Sequence, residues 1–134
     1  MGKFLILTTF FLLLTTNSFA QVRLNEFQIE PEQSVEILNT ATTSADTSGW
    51  YIDDNGGTTF YTIPQNSILL PNSCLVFTSN FNLNKSSADT VRLFDKSNPP
   101  TSSQSVLVDS FSYQQSPGNN ISFSKIVLPR VHNE

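Results

Sequence analysis

Residues 49–63 have the sequence GWYIDDNGGTTFYTI, and this stretch decides the fold class. Two short runs rich in aromatic and β-branched residues, Gly49–Asp53 and Thr58–Ile63, flank the polar sequence Asp-Asn-Gly-Gly. Asn-Gly is a strong hairpin signal because both turn residues can adopt positive φ, and Pro64 has no N–H with which to extend the second strand. The stretch therefore predicts a β-hairpin, with Trp50 anchoring the core.

Similar strand-forming runs recur along the chain at the spacing of a β-sandwich, and about eight strands are predicted. Apolar parity slips near Asn25 and Glu26 in the first strand, which predicts a β-bulge, and again near Asp109 in a late strand. The run Cys74–Thr78 is the most apolar, so we predict a central strand there, with the Cys74 side chain buried. The strands outside the hairpin are predicted at Val22–Ile29, Ser34–Asn39, Ser67–Leu70, Cys74–Thr78, Thr90–Phe94, Val106–Tyr113 and Ile121–Ile126.

Residues 1–20 have the pattern of a secretory signal peptide. Lys3 precedes an apolar run over Phe4–Leu14, and Ser18 and Ala20 are small residues at the two positions that a signal peptidase recognises. We therefore predict cleavage after Ala20. An uncleaved membrane anchor is the alternative, but the run would reach only about half of a ~30 Å hydrocarbon core. No later apolar stretch of the sequence is long enough to cross a membrane.

The charge of the predicted mature chain argues against nucleic acid as a partner. The formal net charge of the whole chain is −4, and removal of Lys3 with the signal makes it about −5. Nucleic-acid binding needs clustered Lys and Arg, and the remaining basic residues are scattered. We predict one domain at residues 21–127, followed by a tail at residues 128–134.

Side chains with catalytic potential are few. Glu26 and Glu36 lie on adjacent predicted strands and could act as an acid–base pair. The alternative, which we favour, is that a carboxylate beside a bulge accepts backbone N–H bonds and fixes the chain. Cys74 is the only cysteine, and His132, in the predicted tail, is the only histidine. Neither a Cys-His nor a Ser-His-Asp set is therefore indicated, and we predict that the protein is not an enzyme.

Asp53, Asp54 and Asn55 place several oxygen ligands close together, as calcium sites do. They lack the alternate-residue spacing of an EF-hand loop, and Asp and Asn are also common in ordinary turns. No cofactor is predicted, and calcium is kept as the alternative. Four aromatic residues could add a platform for a sugar or a peptide, although core packing explains most of them: Tyr51, Phe60, Tyr61 and Phe81.

Six segments, in order, resemble the lamin-tail domain family, and the resemblance spans residues 22–127. The segments are Val22–Phe27, Ser34–Asn39, Ser48–Asp54, Ile63–Phe77, Asp89–Asp95 and Val108–Tyr113. The resemblance implies an immunoglobulin-like antiparallel β-sandwich that serves as an interaction module and has no assigned catalytic residue. The chain departs from the pattern after Pro117-Gly118, where Lys125 takes the place of an arginine and puts any bidentate guanidinium contact in doubt. The positions that carry the family pattern are Asn25, Glu26, Glu36, Asn39, Gly49, Trp50, Asp53, Pro64, Pro71, Asp89, Asp109 and Gly118.

The resemblance and the predicted signal together indicate an exported, single-domain member of prokaryotic type, secreted or held at the cell surface. We predict a non-catalytic interaction or structural module whose partner is a protein or a cell-envelope component. Three polar loops are the predicted partner-binding surfaces: Thr40–Ser48, Asn80–Asp89 and Asp95–Gln104. One alternative is a calcium-dependent carbohydrate- or ligand-binding module. The other is an accessory domain or fragment of an exported hydrolase or nuclease.

Overall fold

The computed structural model describes residues 21–56 and 58–125 of the chain. These residues form the all-β, antiparallel, immunoglobulin-like sandwich that the sequence predicts. The predicted signal at residues 1–20, the end of the last predicted strand and the tail at 128–134 lie outside them. Within the described ranges, no helix has the length and apolar character needed to cross a membrane. The strands are β1 (Val22–Gln28), β2 (Ser34–Asn39), β3 (Ala45–Asp46), β4 (Tyr51–Asp53), β5 (Tyr61–Thr62), β6 (Ile68–Leu69), β7 (Cys74–Thr78), β8 (Asp89–Phe94), β9 (Leu107–Tyr113) and β10 (Ser122–Ser124).

Two four-stranded sheets enclose the core. Their strand orders are β10-β1-β2-β7 and β5-β4-β8-β9, and β3 pairs with β6 in a separate two-stranded ribbon. Alternate residues of β2 are buried, as the period-2 geometry of a strand requires, with Val35 and Ile37 fully inside. Trp50 is 2% exposed and lies in the core, as predicted. Each fully buried large side chain stabilises the fold by about 1.5–3 kcal/mol, so this apolar layer drives the two sheets together.

The predicted hairpin forms, but its turn is wider than the sequence indicates. β4 and β5 pair through two residue pairs only, well short of the Asn-Gly sequence. The loop backbone bonds instead to side chains of β8. The Arg92 Nε donates to the Asp54 carbonyl at 2.7 Å, and the Asn55 N–H donates to Asp89 Oδ1 at 3.1 Å. These contacts satisfy backbone groups that a tight two-residue turn would pair across the hairpin.

Both predicted irregularities of register are confirmed. The β1–β2 register shifts between Leu24 and Glu26, which makes Asn25 the extra residue of a bulge. The β8–β9 register shifts where the β9 partner changes from Asp109 to Leu107. The two irregularities meet in space, since the Leu24 N–H donates to Asp109 Oδ2 at 3.0 Å. This bond ties one sheet to the other at that corner of the sandwich.

The predicted central position of Cys74–Thr78 is wrong. β7 lies at the edge of its sheet and pairs only with β2. Cys74 is exposed where a buried side chain was predicted, because only Leu75 and Phe77 point towards the core. Val76 lies on the outer face and is 59% exposed. An apolar run therefore indicated burial on both faces of a strand that is covered on one face alone.

The predicted polar loop at Thr40–Ser48 contains a strand, β3, that pairs with β6. The Asn39 side-chain amide fixes this region by donating to the Thr43 carbonyl at 2.8 Å and the Leu69 carbonyl at 3.1 Å. This pairing depends on a segment far along the chain, so no local pattern in the loop indicates it.

Candidate interaction surface

The edge of β7 that faces away from β2 has no strand partner among the described residues. The Asn39 N–H donates to the Ser73 carbonyl at 3.0 Å, just beyond one end of the β2–β7 ladder. Bonded pairs alternate along an antiparallel ladder, so Leu75 and Phe77 also exchange hydrogen bonds with β2. The backbone N–H and C=O groups of the residues between them point out of the sheet. These outward-pointing residues are Cys74, Val76 and Thr78.

This open edge lacks the features that usually prevent strand addition. Native sheets protect their edges with charged side chains, Pro or a bulge. Cys74–Thr78 contains no charged residue and no Pro, and its ladder with β2 has no register shift. The edge strand β9 of the other sheet differs, because Lys125 Nζ donates to the Ser110 carbonyl at 2.9 Å. Of the β7 and β9 edges, β7 is therefore the unguarded one. The other two edge strands, β5 and β10, are only two and three residues long, and short edge strands are themselves protected.

A hollow of about 100 Å³ beside Val76 contains two carboxylates. On the outer face of the sheet, Glu26 of β1 lies opposite Glu36 of β2, and Glu36 lies opposite Val76. Like charges directly opposite each other on a sheet repel. Within residues 21–56 and 58–125, neither glutamate belongs to an ion pair. The hollow therefore holds uncompensated negative charge next to the open edge.

Neutral side chains hold these carboxylates in place. Asn25 Nδ2 donates to Glu36 Oε1, and the Ser122 hydroxyl donates to Glu26 Oε1. The sequence predicts backbone N–H donors for these carboxylates, but the donors are side chains. Asn25 reaches Glu36 because the bulge turns its side chain towards β2. The contacts orient both carboxylates on the outer face, where a cation can approach them.

The Cys74 thiol also lies near this acidic pair. Partial burial raises the pKa of Cys74 to about 11. A hydrogen bond to Glu36, the charge of Glu36 and the charge of Glu26 act in the same direction. The thiolate is the nucleophilic form of cysteine, so the raised pKa keeps the thiolate fraction of Cys74 small at neutral pH although the residue is exposed. Cys74 is therefore part of a surface and has no features of an activated nucleophile.

The candidate calcium ligands lie in an ion-pair network. Asp53 is 1% exposed, and its Oδ2 accepts a 2.8 Å hydrogen bond from Arg92 Nη2. The Oδ1 atoms of Asp53 and Asp54 are buried without a hydrogen-bond partner. Desolvation raises the pKa of Asp53, and the Arg92 charge opposes that effect. The described part of the chain contains no group of three or more potential metal-binding side chains, and the Asn55 side chain is exposed. Calcium binding here stays a prediction from the sequence.

The four candidate aromatic residues form two separate pairs. Tyr51 and Phe60 make an edge-to-face contact with ring centroids 5.1 Å apart. Tyr61 packs against Phe81 at 5.3 Å, and Phe81 is 2% exposed. The loop that carries Phe81 is held by Gln33, whose Oε1 accepts the Phe81 N–H at 2.8 Å. These rings therefore pack against each other within two separate pairs.

The family model of the lamin tail domain matches residues 15–115, which is more than half of the chain. The chain belongs to the lamin tail domain family. No curated protein and no solved structure matches it. The match to the lamin tail domain begins inside the predicted signal segment and ends before β10. The last strand, although it pairs with β1, therefore lies beyond the matched region.

Several pattern positions of this lamin tail domain are hydrogen-bonded anchors. Asp89 accepts three backbone N–H bonds at 2.7–3.1 Å, which fixes two loops to β8. Asp109 accepts a backbone N–H of β1, and Asn39 fixes the β3–β6 ribbon. Gly49 and Gly118 have φ values of 76° and 113°, where a side chain would be strained. Of the other positions, Trp50 is buried, whereas Pro64 and Pro71 are exposed after β5 and β6.

Lys125 stands where the resemblance to the family implies an arginine. Its Nζ pairs with Asp109 and also donates to the Ser110 carbonyl at 2.9 Å. Each contact needs a single donor atom, which a compact ammonium group supplies. The residue links the end of β10 to β9.

Sequence reasoning missed the open edge of β7 and the way in which the bulge places Glu26 beside Glu36. One signal was available. Leu75 and Phe77 alternate with Cys74, Val76 and Thr78, which is the period-2 pattern of a strand with one outer face. The apolar character of Val76 obscured that alternation.

Proposed function

We propose that this lamin tail domain is a non-catalytic interaction module that binds a strand of its partner at the open edge of β7. The observation that supports the proposal is the row of outward-pointing backbone groups on Cys74, Val76 and Thr78, on a strand without a blocking charge or Pro. In strand addition, main-chain hydrogen bonds supply affinity and alternate side chains supply specificity. The predicted loop surfaces stay predictions, and the edge is the surface that the geometry favours.

The contacts of the candidate reactive side chains support the non-catalytic part of the proposal. Glu26 and Glu36 are oriented by the neutral donors Ser122 and Asn25. The Cys74 pKa of about 11 keeps its thiol protonated. Asp53 is bound to Arg92. Catalysis needs a nucleophile, a base and an orienting group within reach of one another, and these side chains have structural partners instead.

The proposal assigns the module to the cell surface or the outside of the cell, with a protein or cell-envelope component as its partner. The signal-like pattern of residues 1–20 supports export. N-terminal sequencing of the exported protein is expected to begin at Gln21. A chain that retains Lys3 and sediments with membranes would contradict the assignment.

The strand-addition proposal is tested by two substitutions at the centre of the edge. Val76→Pro removes the central outward N–H, which makes no bond to β2, so the ladder itself is kept. Val76→Thr is the matched control, because it keeps the N–H and the β-branched shape. Circular dichroism first establishes that both variants keep the β-sheet spectrum. Partners captured from envelope extract by the unmodified protein are expected to bind the Thr variant and to be lost with the Pro variant. Equal capture by all three proteins contradicts binding at this edge.

A further inference from the structure

We infer that the strand bound at β7 carries a lysine or arginine opposite Val76, with its cationic group beside Glu36, on the β7 side of the hollow that Glu36 and Glu26 line. This inference rests on the proposed strand addition and names the chemistry of the partner. It follows from the register of three strands, from the charge of the hollow and from the character of Val76.

The register places the two carboxylates in line with the incoming residue. Glu26, Glu36 and Val76 are consecutive cross-strand partners on the outer face of the sheet. A residue paired with Val76 on an added strand continues that row. Neighbouring strands are about 4.8 Å apart, so the incoming Cα lies roughly 10 Å from that of Glu36. A long cationic side chain laid over Val76 and a glutamate side chain together span that separation.

Val76 favours a side chain that is apolar along its stem and charged at its end. Its side chain is 59% exposed, so an incoming residue covers apolar surface before it reaches the carboxylates. Lysine and arginine pack their methylene groups on apolar surface while the charged end stays hydrated or paired. A short polar residue would leave Val76 uncovered, and a long apolar residue would leave the two carboxylates without a cation.

Charge also distinguishes a basic partner from a second copy of this chain. Pairing of β7 with β7 of another copy would place Val76 against Val76 and supply no cation to either hollow. Both pairs of Glu26 and Glu36 would then lie on one continuous sheet face, with their repulsion unrelieved. A strand with a basic residue supplies the missing charge, so charge complementarity selects it over self-association.

The inference is tested by nuclear magnetic resonance titration of the ¹⁵N-labelled full-length protein with three capped peptides. The peptides are Thr-Val-Lys-Val-Thr and its variants with norleucine or glutamate in place of lysine. The lysine peptide is expected to shift the amides of Cys74, Val76 and Thr78 and to slow their hydrogen exchange. It is expected to bind about fivefold more tightly than the norleucine peptide, with the difference reduced at high salt, and the glutamate peptide most weakly.

Three variants locate the source of this preference. Glu26→Gln and Glu36→Gln are each expected to reduce the preference for lysine over norleucine while leaving the shifts at β7 in place. Asp46→Asn is the matched control, because it removes a carboxylate from an exposed position on β3, outside the row. It is expected to leave the preference unchanged.

The possible failures can be told apart. Equal binding of all three peptides at β7 overturns the inference and leaves strand addition standing. If none of the three peptides shifts the amides of β7, both the inference and strand addition are contradicted. A symmetric dimer through β7, detected by sedimentation and abolished by Val76→Lys, overturns the basic partner in favour of a second copy.

Discussion

Replacement of Arg92 by alanine tests the network that holds the β4–β5 loop. The Arg92 side chain is 23% exposed and its carboxylate partner Asp53 only 1%. Removal of Arg92 leaves an uncompensated buried charge on Asp53. We therefore expect Arg92→Ala to lower the free energy of unfolding by about 3 kcal/mol, the lower end of the usual range for a broken buried ion pair. The lower end applies because water can enter from the exposed side of the guanidinium. The loss includes the hydrogen bond from Nε to the Asp54 carbonyl.

A double-mutant cycle separates the ion pair from the other contacts of Arg92. In the Asp53→Asn background the removal of Arg92 leaves no charged Asp53 behind, so Arg92→Ala is expected to cost only about 1 kcal/mol, the usual net value of a hydrogen bond. The coupling free energy between the two residues is then about 2 kcal/mol. Urea unfolding followed by Trp50 fluorescence measures the four stabilities. Equal costs of Arg92→Ala in both backgrounds would refute the assignment of a charge-dependent network.

The pH dependence of the same variant gives a second check. Desolvation raises the pKa of Asp53 in the folded protein. A carboxyl whose pKa is raised by folding binds its proton more tightly in the folded protein. Its contribution to the free energy of unfolding is therefore fully present below the unfolded pKa and is lost as the pH rises through the folded pKa. Without Arg92 that pKa rises further. The destabilisation by Arg92→Ala is therefore expected to shrink between pH 7 and pH 4.5, and a constant cost would contradict the buried-charge explanation.

Three further predictions follow from the core, the thiol and the candidate calcium ligands. Trp50→Ala is expected to lower the free energy of unfolding by about 3–5 kcal/mol in urea titrations, and a cost below about 1 kcal/mol would contradict its position between the sheets. The rate of Cys74 modification by a thiol reagent is expected to rise steadily to about pH 11, in line with its raised pKa, and Glu36→Gln to increase the rate at pH 8. A plateau by pH 8 would contradict that pKa. Because Arg92 already neutralises Asp53, millimolar calcium is expected to leave the melting temperature unchanged, and a clear rise would restore the calcium alternative.

The sequence predicts the fold class well because the relevant signals are local. Asn39 and Thr78 end their strands where the sequence indicates, and the slips near Asn25 and Asp109 are visible as changes of apolar parity. Trp50 is predicted correctly because a large apolar side chain in a small β domain has few other places to lie.

What the sequence does not predict depends on contacts between distant segments. The edge position of β7 follows from which strands become its neighbours, and no residue of Cys74–Thr78 records that choice. The wide β4–β5 loop follows from Arg92 and Asp89, which lie more than thirty residues further along the chain. The acidic hollow needs the Asn25 bulge to bring Glu26 opposite Glu36. Side chains examined for chemistry one at a time do not reveal such a row.

Amide hydrogen exchange within β7 tests the central claim most directly. In the protein alone, Leu75 and Phe77 are expected to exchange slowly because they bond to β2, whereas Cys74, Val76 and Thr78 exchange rapidly into water. The same three amides are expected to become slow when a partner strand is bound. Uniform slow exchange of all five residues in the unbound protein would mean that another segment already covers this edge, and it would contradict the proposed binding surface.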